Sequence, residues 1–444
     1  MRLHTAGTQV PDTLPATPAV SRGYAWLVFA LSFGLLLSDY MSRQVLNAVF
    51  PLLKAEWLVS DAELGTLSGV VALMVGVLTF PLSLLADRWG RVRILVLSAA
   101  AWSLATLGCA IAASYGQMLL GRFMVGVGEA AYGSVGIAVV LSVFPIGVRA
   151  TLSGAFIAGG SFGSVLGVSI GGAIAQEFGW RWAFGAMGFF GLALAAVYGL
   201  VITEKRLGSA STRRNRSTPG ERAPIRAQLP RLFSSLSVVC AYIGSGLQMF
   251  IAMALLAWMP SFLNRYYDMT PGEAGLGAGV FALIGGIGMV LGGIVADRLS
   301  RKVAARKWVV AIACSLGSLV LLMAGFHLPT GPLQLVLIGA GTLVAAGTAG
   351  PAAAMVANLT PAAIAATAFA TLTLANSLLG LAPGPAVTGM LADSMGLLGA
   401  LRVIPLVALV TSVVFTIGMF SYERDLRRLG LLPGTAPTTS EARA

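Results

Sequence analysis

Leu85-Ala86-Asp87-Arg88-Trp89-Gly90-Arg91 closes one apolar run of this sequence, and Val295-Ala296-Asp297-Arg298-Leu299-Ser300-Arg301 closes another. Each segment sets an acid and two arginines directly behind a stretch with almost no charge. The runs in front of them, 63–86 and 273–297, are long enough to cross a ~30 Å hydrocarbon core, which takes roughly 20 helical residues. The same polar stop behind two such runs reads as a duplicated membrane unit.

Working outward from these stops, apolar runs fall at 24–50, 63–86, 94–113, 117–143, 151–174 and 181–203, then at 234–263, 273–297, 307–327, 332–356, 364–391 and 397–420. The two stops therefore follow the second and eighth of twelve spans, equivalent positions in two sets of six. Composition agrees: 57% of the residues are hydrophobic and 10% charged, less than half the ~25% charge of a soluble domain. The expected organisation is a polar, Pro- and Thr-containing tail over 1–22, a six-helix bundle over 23–205, a basic linker over 206–232, a second bundle over 233–420 and a tail over 421–444.

The net charge of +12 is distributed by topology. Basic residues collect in alternate loops: Arg88, Arg91 and Arg93; Arg149; Arg213, Arg214, Arg216, Arg222, Arg226 and Arg231 of the linker; Arg298, Arg301, Lys302, Arg306 and Lys307. The positive-inside rule makes those loops cytoplasmic and, with an even span number, puts both termini in the cytoplasm of an inner-membrane protein. No basic patch with interleaved aromatics is present, so nucleic acid is not an expected partner. None of the four lysines follows a glycine, which leaves no phosphate-binding loop for an ATP-driven pump. His4 and His327 stand alone and Cys109, Cys240 and Cys314 show no ligand or disulfide spacing, so neither a metal nor a cofactor is expected. A cleaved leader is not expected either, because the first run leads straight into Asp39 and Arg43.

Asp-Arg-x-Gly-Arg behind the second run resembles the loop signature of the major facilitator superfamily. Ser83 stands where that signature opens on Gly, Val92 stands at its final basic position, and the second copy carries Ser300 in place of Gly. Within the superfamily, Gly121-Arg122-Phe123-Met124-Val125-Gly126-Val127-Gly128-Glu129-Ala130 and Asp39-Tyr40-Met41-Ser42-Arg43 are similar to spans four and one of the spinster-type carriers and their bacterial relatives. In those carriers the acid sits at the place of Ser42; here it is displaced to Asp39. The resemblance implies an all-α fold of two six-helix bundles, a monomer, and a secondary transporter, not an enzyme. An integral-membrane enzyme working through carboxylates alone is the alternative of a different class.

An ionisable side chain at membrane depth costs at least ~2.5–3.5 kcal/mol on insertion scales, so it faces a cavity or a partner. Asp39 and Arg43 are i and i+4 on one helix face. Arg122 and Glu129 are seven apart on another. Glu129 and Asp39 are the expected proton acceptors, and Arg43 and Arg122 the groups that hold their charge and bind an anionic substrate. The competing readings are a purely structural pairing and, for Arg122, a long side chain snorkelling to the interface.

Asp87, Arg88, Arg91, Asp297, Arg298 and Arg301 are expected to form a cytoplasmic gate as well as to set topology. The second half offers Gln248 and Asn376 as polar cavity candidates in an otherwise apolar wall, with Met249, Met253, Trp258 and Phe281. A cavity charged on one side and apolar on the other suits a small organic or amphipathic anion; a lipid-like or drug-like amphiphile is the alternative cargo. Span five, with Gly159, Gly160, Gly163, Gly167, Gly171 and Gly172, is expected to pack closely on a neighbour. Asn376, Gly380, Pro383, Gly384 and Pro385 are expected to bend span eleven.

Overall fold

A computed structural model of the chain describes residues 21–145, 148–207, 233, 235–301, 303, 305–360 and 365–428. Nearly all of tail 1–22, most of the linker and the last part of the carboxy-terminal tail lie outside these residues, as do the side chains of Asp87 and Arg88.

Everything described is helical or a turn between helices. The first half comprises α1 (Arg22–Trp57), α2 (Asp61–Trp89), α3 (Arg91–Ala110), α4 (Tyr115–Glu129), α5 (Tyr132–Val143), α6 (Arg149–Phe178) and α7 (Trp180–Val201). After the one-turn α8 (Glu204–Leu207), the second half comprises α9 (Leu236–Tyr267), α10 (Pro271–Ser300), α11 (Arg306–His327), α12 (Pro332–Ala346), α13 (Ala349–Asn358), α14 (Ala365–Asn376), α15 (Pro383–Val403) and α16 (Val407–Arg428).

Ten of the described helical stretches are long and apolar enough to cross a membrane. The longest, Thr367–Arg428, has 62 residues and reverses at Gly396, whose φ of +76° suits a residue without a Cβ. The Tyr115–Val143 segment is divided between α4 and α5, which places the tally between ten and twelve.

Four of the expected continuous spans are interrupted among the described residues, the twelfth only by a 3₁₀ turn at Ile404–Leu406. Span four breaks at Ala130–Ala131, span ten at Gly347–Thr348, and span eleven carries a π-turn over Ser377–Leu381 ahead of Pro383. The last follows from Pro383, which has no N–H to continue the ladder. Broken helices at membrane depth survive where protein or a water-filled cavity meets the freed backbone groups.

The halves meet through α6 on α10 and α2 on α15, while α1 touches α9. Gly65 and Gly69 of α2 face the backbone of Pro385 and Ala382, and Gly172 of α6 faces Pro271 and Gly275 of α10, leaving no room for a side chain. Gly163 and Gly167 press on Leu37 and Met41 of α1 in the same way, as the small residues of span five lead one to expect. The cross-half contacts run from the end bearing the α1–α2 turn, here the far end, to mid-helix, where Gly76 of α2 meets Ser377 and Gly286 of α10 meets Ser161. The opposite end, where α1 begins and α7 finishes, is the linker end.

Carboxylates tie the helix starts together. Glu204 accepts Val92 N–H at 2.8 Å at the start of α3, and Asp425 accepts Ser237 N–H at 2.9 Å with the hydroxyls of Ser235 and Ser237 at the start of α9. Acids at helix amino termini complement the dipole and satisfy orphan amides.

Candidate functional site

The buried face of α1 runs through Ala25, Val28, Ser32, Leu35, Asp39, Ser42, Leu46 and Val49. Its three- and four-residue spacing turns Asp39 and Ser42 toward α4, where Glu129 occupies the last position before the break. Arg43, one residue off that face, reaches both acids.

Arg43 Nε lies 2.6 Å from Glu129 Oε2 and 3.5 Å from Asp39 Oδ1. Its N–H is aligned with neither oxygen, so these are ion pairs and not directed hydrogen bonds. Ser42 Oγ adds a donor 3.2 Å from Glu129 Oε1 and also reaches the Asp39 carbonyl at 2.8 Å. The Tyr40 ring lies 5.4 Å from the guanidinium carbon, within cation–π range. The guanidinium side chain is 20% exposed, whereas the Glu129 side chain is fully buried. Two acids thus converge on one cation, and the cation is the most exposed member of the trio. With both acids ionised the trio carries one unbalanced negative charge; one proton removes it.

Arg122 has a different position. It is 1% exposed and does not snorkel. Its three guanidinium nitrogens donate to backbone carbonyls: Nη1 to Ser42 at 2.9 Å, Nη2 to Arg43 at 3.3 Å and Nε to Leu67 at 3.4 Å. The side chain therefore fastens α4 to α1 and α2 beneath the charged trio.

A second charged cluster joins the two halves at the far end, and sequence reasoning did not identify it. Asp61, the first residue of α2, accepts Lys54 Nζ at 2.6 Å from its own half and Arg265 Nη1 and Nη2 at 2.8 and 2.6 Å from α9 of the other half. Asp393 of α15 accepts the Asp61 and Ala62 N–H groups at 2.8 and 2.9 Å, capping α2 across the interface. Beneath them Phe50 packs on Trp258 with ring centroids 5.2 Å apart, and Trp258 Nε1 donates to Pro385 O at 3.0 Å. Lys54 and Arg265 stand out in the sequence only as rare basic residues at span ends; Lys54 pairs seven positions away, but Arg265 reaches Asp61 across 204 positions and Asp393 reaches the Asp61 amide across 332.

The other expected positions are less concentrated. Gln248 is fully buried and bridges Ser318 Oγ at 3.2 Å and Ala345 O at 3.3 Å, joining α9 to α11 and α12. Asn376 is half-buried just before the π-turn. Arg91 is half-buried at the start of α3, and Asp297, Arg298 and Arg301 are exposed at the linker end of α10. Trp258 belongs to the far-end plug, while Met249, Met253 and Phe281 are half-buried.

The family model of the Major Facilitator Superfamily matches residues 32–383. Among curated proteins, the chain is 25% identical over 319 residues to the hexuronate transporter of Bacillus subtilis (strain 168), covering 69% of this chain and 72% of that one. It is 28% identical over 276 residues to the probable L-galactonate transporter of Escherichia coli (strain K12), 59% of each chain. It is 27% identical over 274 residues to protein spinster homolog 3 of Danio rerio, with 60% of this chain aligned to about half (54%) of that protein. Its fold matches the inward-facing, unoccupied crystal structure of a bacterial homolog to the human lysosomal transporter Spinster with TM-score 0.80 at 19% identity, covering 91% of this chain and 99% of that one. Multi-pass helical architecture, two charged stops and a matched family model over most of the sequence agree: the chain belongs to the Major Facilitator Superfamily.

Proposed function

We propose that the protein is a secondary carrier that moves a small organic anion across the inner membrane by alternating access, coupled to protons through Glu129 and Asp39. Its twelve spans are the ten long stretches with α4–α5 added and Thr367–Arg428 split at Gly396, so both termini and the linker end face the cytoplasm. It works as a monomer in the bilayer.

The observation that carries this reading is the convergence of two buried acids on one partly exposed cation, Arg43. A substrate carboxylate that pairs with Arg43 competes with Glu129 and Asp39 for their shared counter-charge, so that a proton taken up by an acid frees Arg43 for the anion. Anion binding and proton binding thereby assist each other, and by linkage the assistance is reciprocal. Loaded together, one proton and one carboxylate leave the charge of the site as it was with both acids ionised, so their joint movement adds no charge to a low-dielectric passage. The hexuronate and L-galactonate transporters among the relatives carry sugar acids by name, which supports this substrate class.

In the state described here Lys54, Asp61, Arg265 and Asp393 join the two halves at the far end over Phe50 and Trp258. In the proposed cycle this network is the outer gate, and the Asp87–Arg91 and Asp297–Arg301 loops gate the cytoplasmic side.

Export of a lipid-like amphiphile is the second reading, supported by the uncharged mid-span stretches of the second half. Proteoliposomes separate the two. An inside-alkaline pH gradient should accumulate a hexuronate or aldonate against its own gradient; accumulation of a lysophospholipid in its place, with the acids untouched, would reverse the assignment.

A further inference from the structure

Behind the charged trio, on the side away from Arg43, the core of the first half contains an unusual concentration of hydroxyls. Ser32, Tyr132 and Tyr198 are buried on α1, α5 and α7. The Tyr132 hydroxyl donates to the Ser32 carbonyl, and Ser32 Oγ lies 3.4 Å from the Tyr198 hydroxyl. Tyr132 follows Glu129 by three residues across the α4–α5 break and packs edge-on against Trp102 with ring centroids 5.2 Å apart, and Tyr198 precedes Glu204 by six residues at the linker end of α7. Ser32 precedes Asp39 by seven residues, two turns or ~10 Å on the same face of α1, and Tyr24 continues the line toward the linker end.

Several side-chain atoms along this line have no hydrogen-bond partner among the described residues: Tyr24 Oη, Ser38 Oγ, Ser103 Oγ and Trp102 Nε1. Ser38 and Ser103 both point at Gly191 of α7, where a side chain would collide with their hydroxyls. Buried polar atoms left without partners are costly, and water is the usual remedy where a site is polar and roomy. A concentration of such atoms in one strip, within an otherwise apolar bundle, marks that strip as wet.

We propose that this strip is the proton path: Tyr132, Ser32 and Tyr198, bridged by water at Ser38, Ser103 and Tyr24, connect Glu129 and Asp39 to the linker end near Glu204. The proposal rests on the coupling reading above. A proton approaching from the substrate side must pass the Arg43 guanidinium, whose charge repels it; the strip reaches the same acids from behind. In each transfer the carboxyl releases its proton to the neighbouring oxygen, which gives up the proton it held, so every hydroxyl is regenerated and one proton emerges in water. Tyr132 takes part by swinging its O–H from the Ser32 carbonyl to the Ser32 hydroxyl on the same residue.

The test uses the full chain in proteoliposomes, with internal pH followed by a dye and the anion that the carrier accumulates as substrate. Tyr198→Phe and Tyr132→Phe each remove one oxygen, and Ser32→Ala removes the hydroxyl while keeping the carbonyl. Each should lower proton-driven uptake about tenfold relative to substrate exchange, less than the ~10²-fold of a positioned proton donor because water bridges part of the gap. An unchanged ratio of driven uptake to exchange in all three variants, whether both rates persist or both fall together, overturns the path. Glu129→Gln distinguishes the two claims: if it uncouples while the hydroxyl variants do not, the path fails alone; if it leaves driven uptake intact, the coupling reading fails first.

Discussion

Arg43 holds the site together because it is both the counter-charge of two buried acids and the most exposed member of the trio. Arg43→Ala should weaken transport of anionic substrates far more than of neutral analogues, by about 10–100-fold if a charged hydrogen bond of ~1.5–3 kcal/mol is lost; equal losses in competition assays would make Arg43 structural. Arg122 should behave in the opposite way. Arg122→Leu removes three donors to backbone carbonyls of α1 and α2, and a loss of roughly 2–4 kcal/mol in thermal or denaturant unfolding is expected, with substrate preference retained among molecules that fold. A shifted preference at unchanged stability would restore Arg122 to the binding site. Asp39, Arg43 and Glu129 were legible because ionised groups in apolar runs are expensive. The backbone partners of Arg122 were not, since carbonyls are carried by every residue and no side-chain pattern reveals them.

At the scale of the helix, the glycine pattern of span five and the glycine–proline cluster of span eleven announced close packing and a bend, and α6 and the Ser377–Leu381 π-turn match those expectations. The break at Ala130–Ala131 carries no such signal, because alanine is the strongest helix former and only the surroundings interrupt it there. Gly69 of α2 is the most informative single position: its missing side chain admits the Ala382 backbone of α15. Gly69→Val should wedge the far end apart and shift the carrier toward the opposite-facing state. Cysteines placed in the Lys54 and Arg265 regions would show this as lost cross-linking and gained reactivity to an impermeant thiol reagent; undiminished cross-linking would mean the helices approach elsewhere.

For the molecule as a whole, the two-half plan and its charged stops could be read from the repeat alone, but the contacts that join the halves could not. Asp61 meets Arg265, and its amide meets Asp393, across separations that leave no local pattern. Asp61 is held between Lys54 and Arg265, so Asp61→Asn should break both ion pairs, and Asp393→Ala should remove the cap from α2. Both variants should populate the far-end-open state more, with distances between spin labels on α2 and α9 lengthening; Debye screening of the partly exposed pairs should make the wild-type distribution respond to salt in the same direction. Identical distributions in both variants would assign closure to the apolar plug of Phe50 and Trp258.

The central claim is that Glu129 carries the proton that moves with the substrate. Proteoliposomes of wild type and Glu129→Gln, loaded with a pH dye and given the anionic substrate, measure it directly. The wild type should acidify its interior as substrate enters, and the variant should exchange labelled for unlabelled substrate without any proton movement. Substrate-dependent acidification of wild-type size in Glu129→Gln contradicts the account.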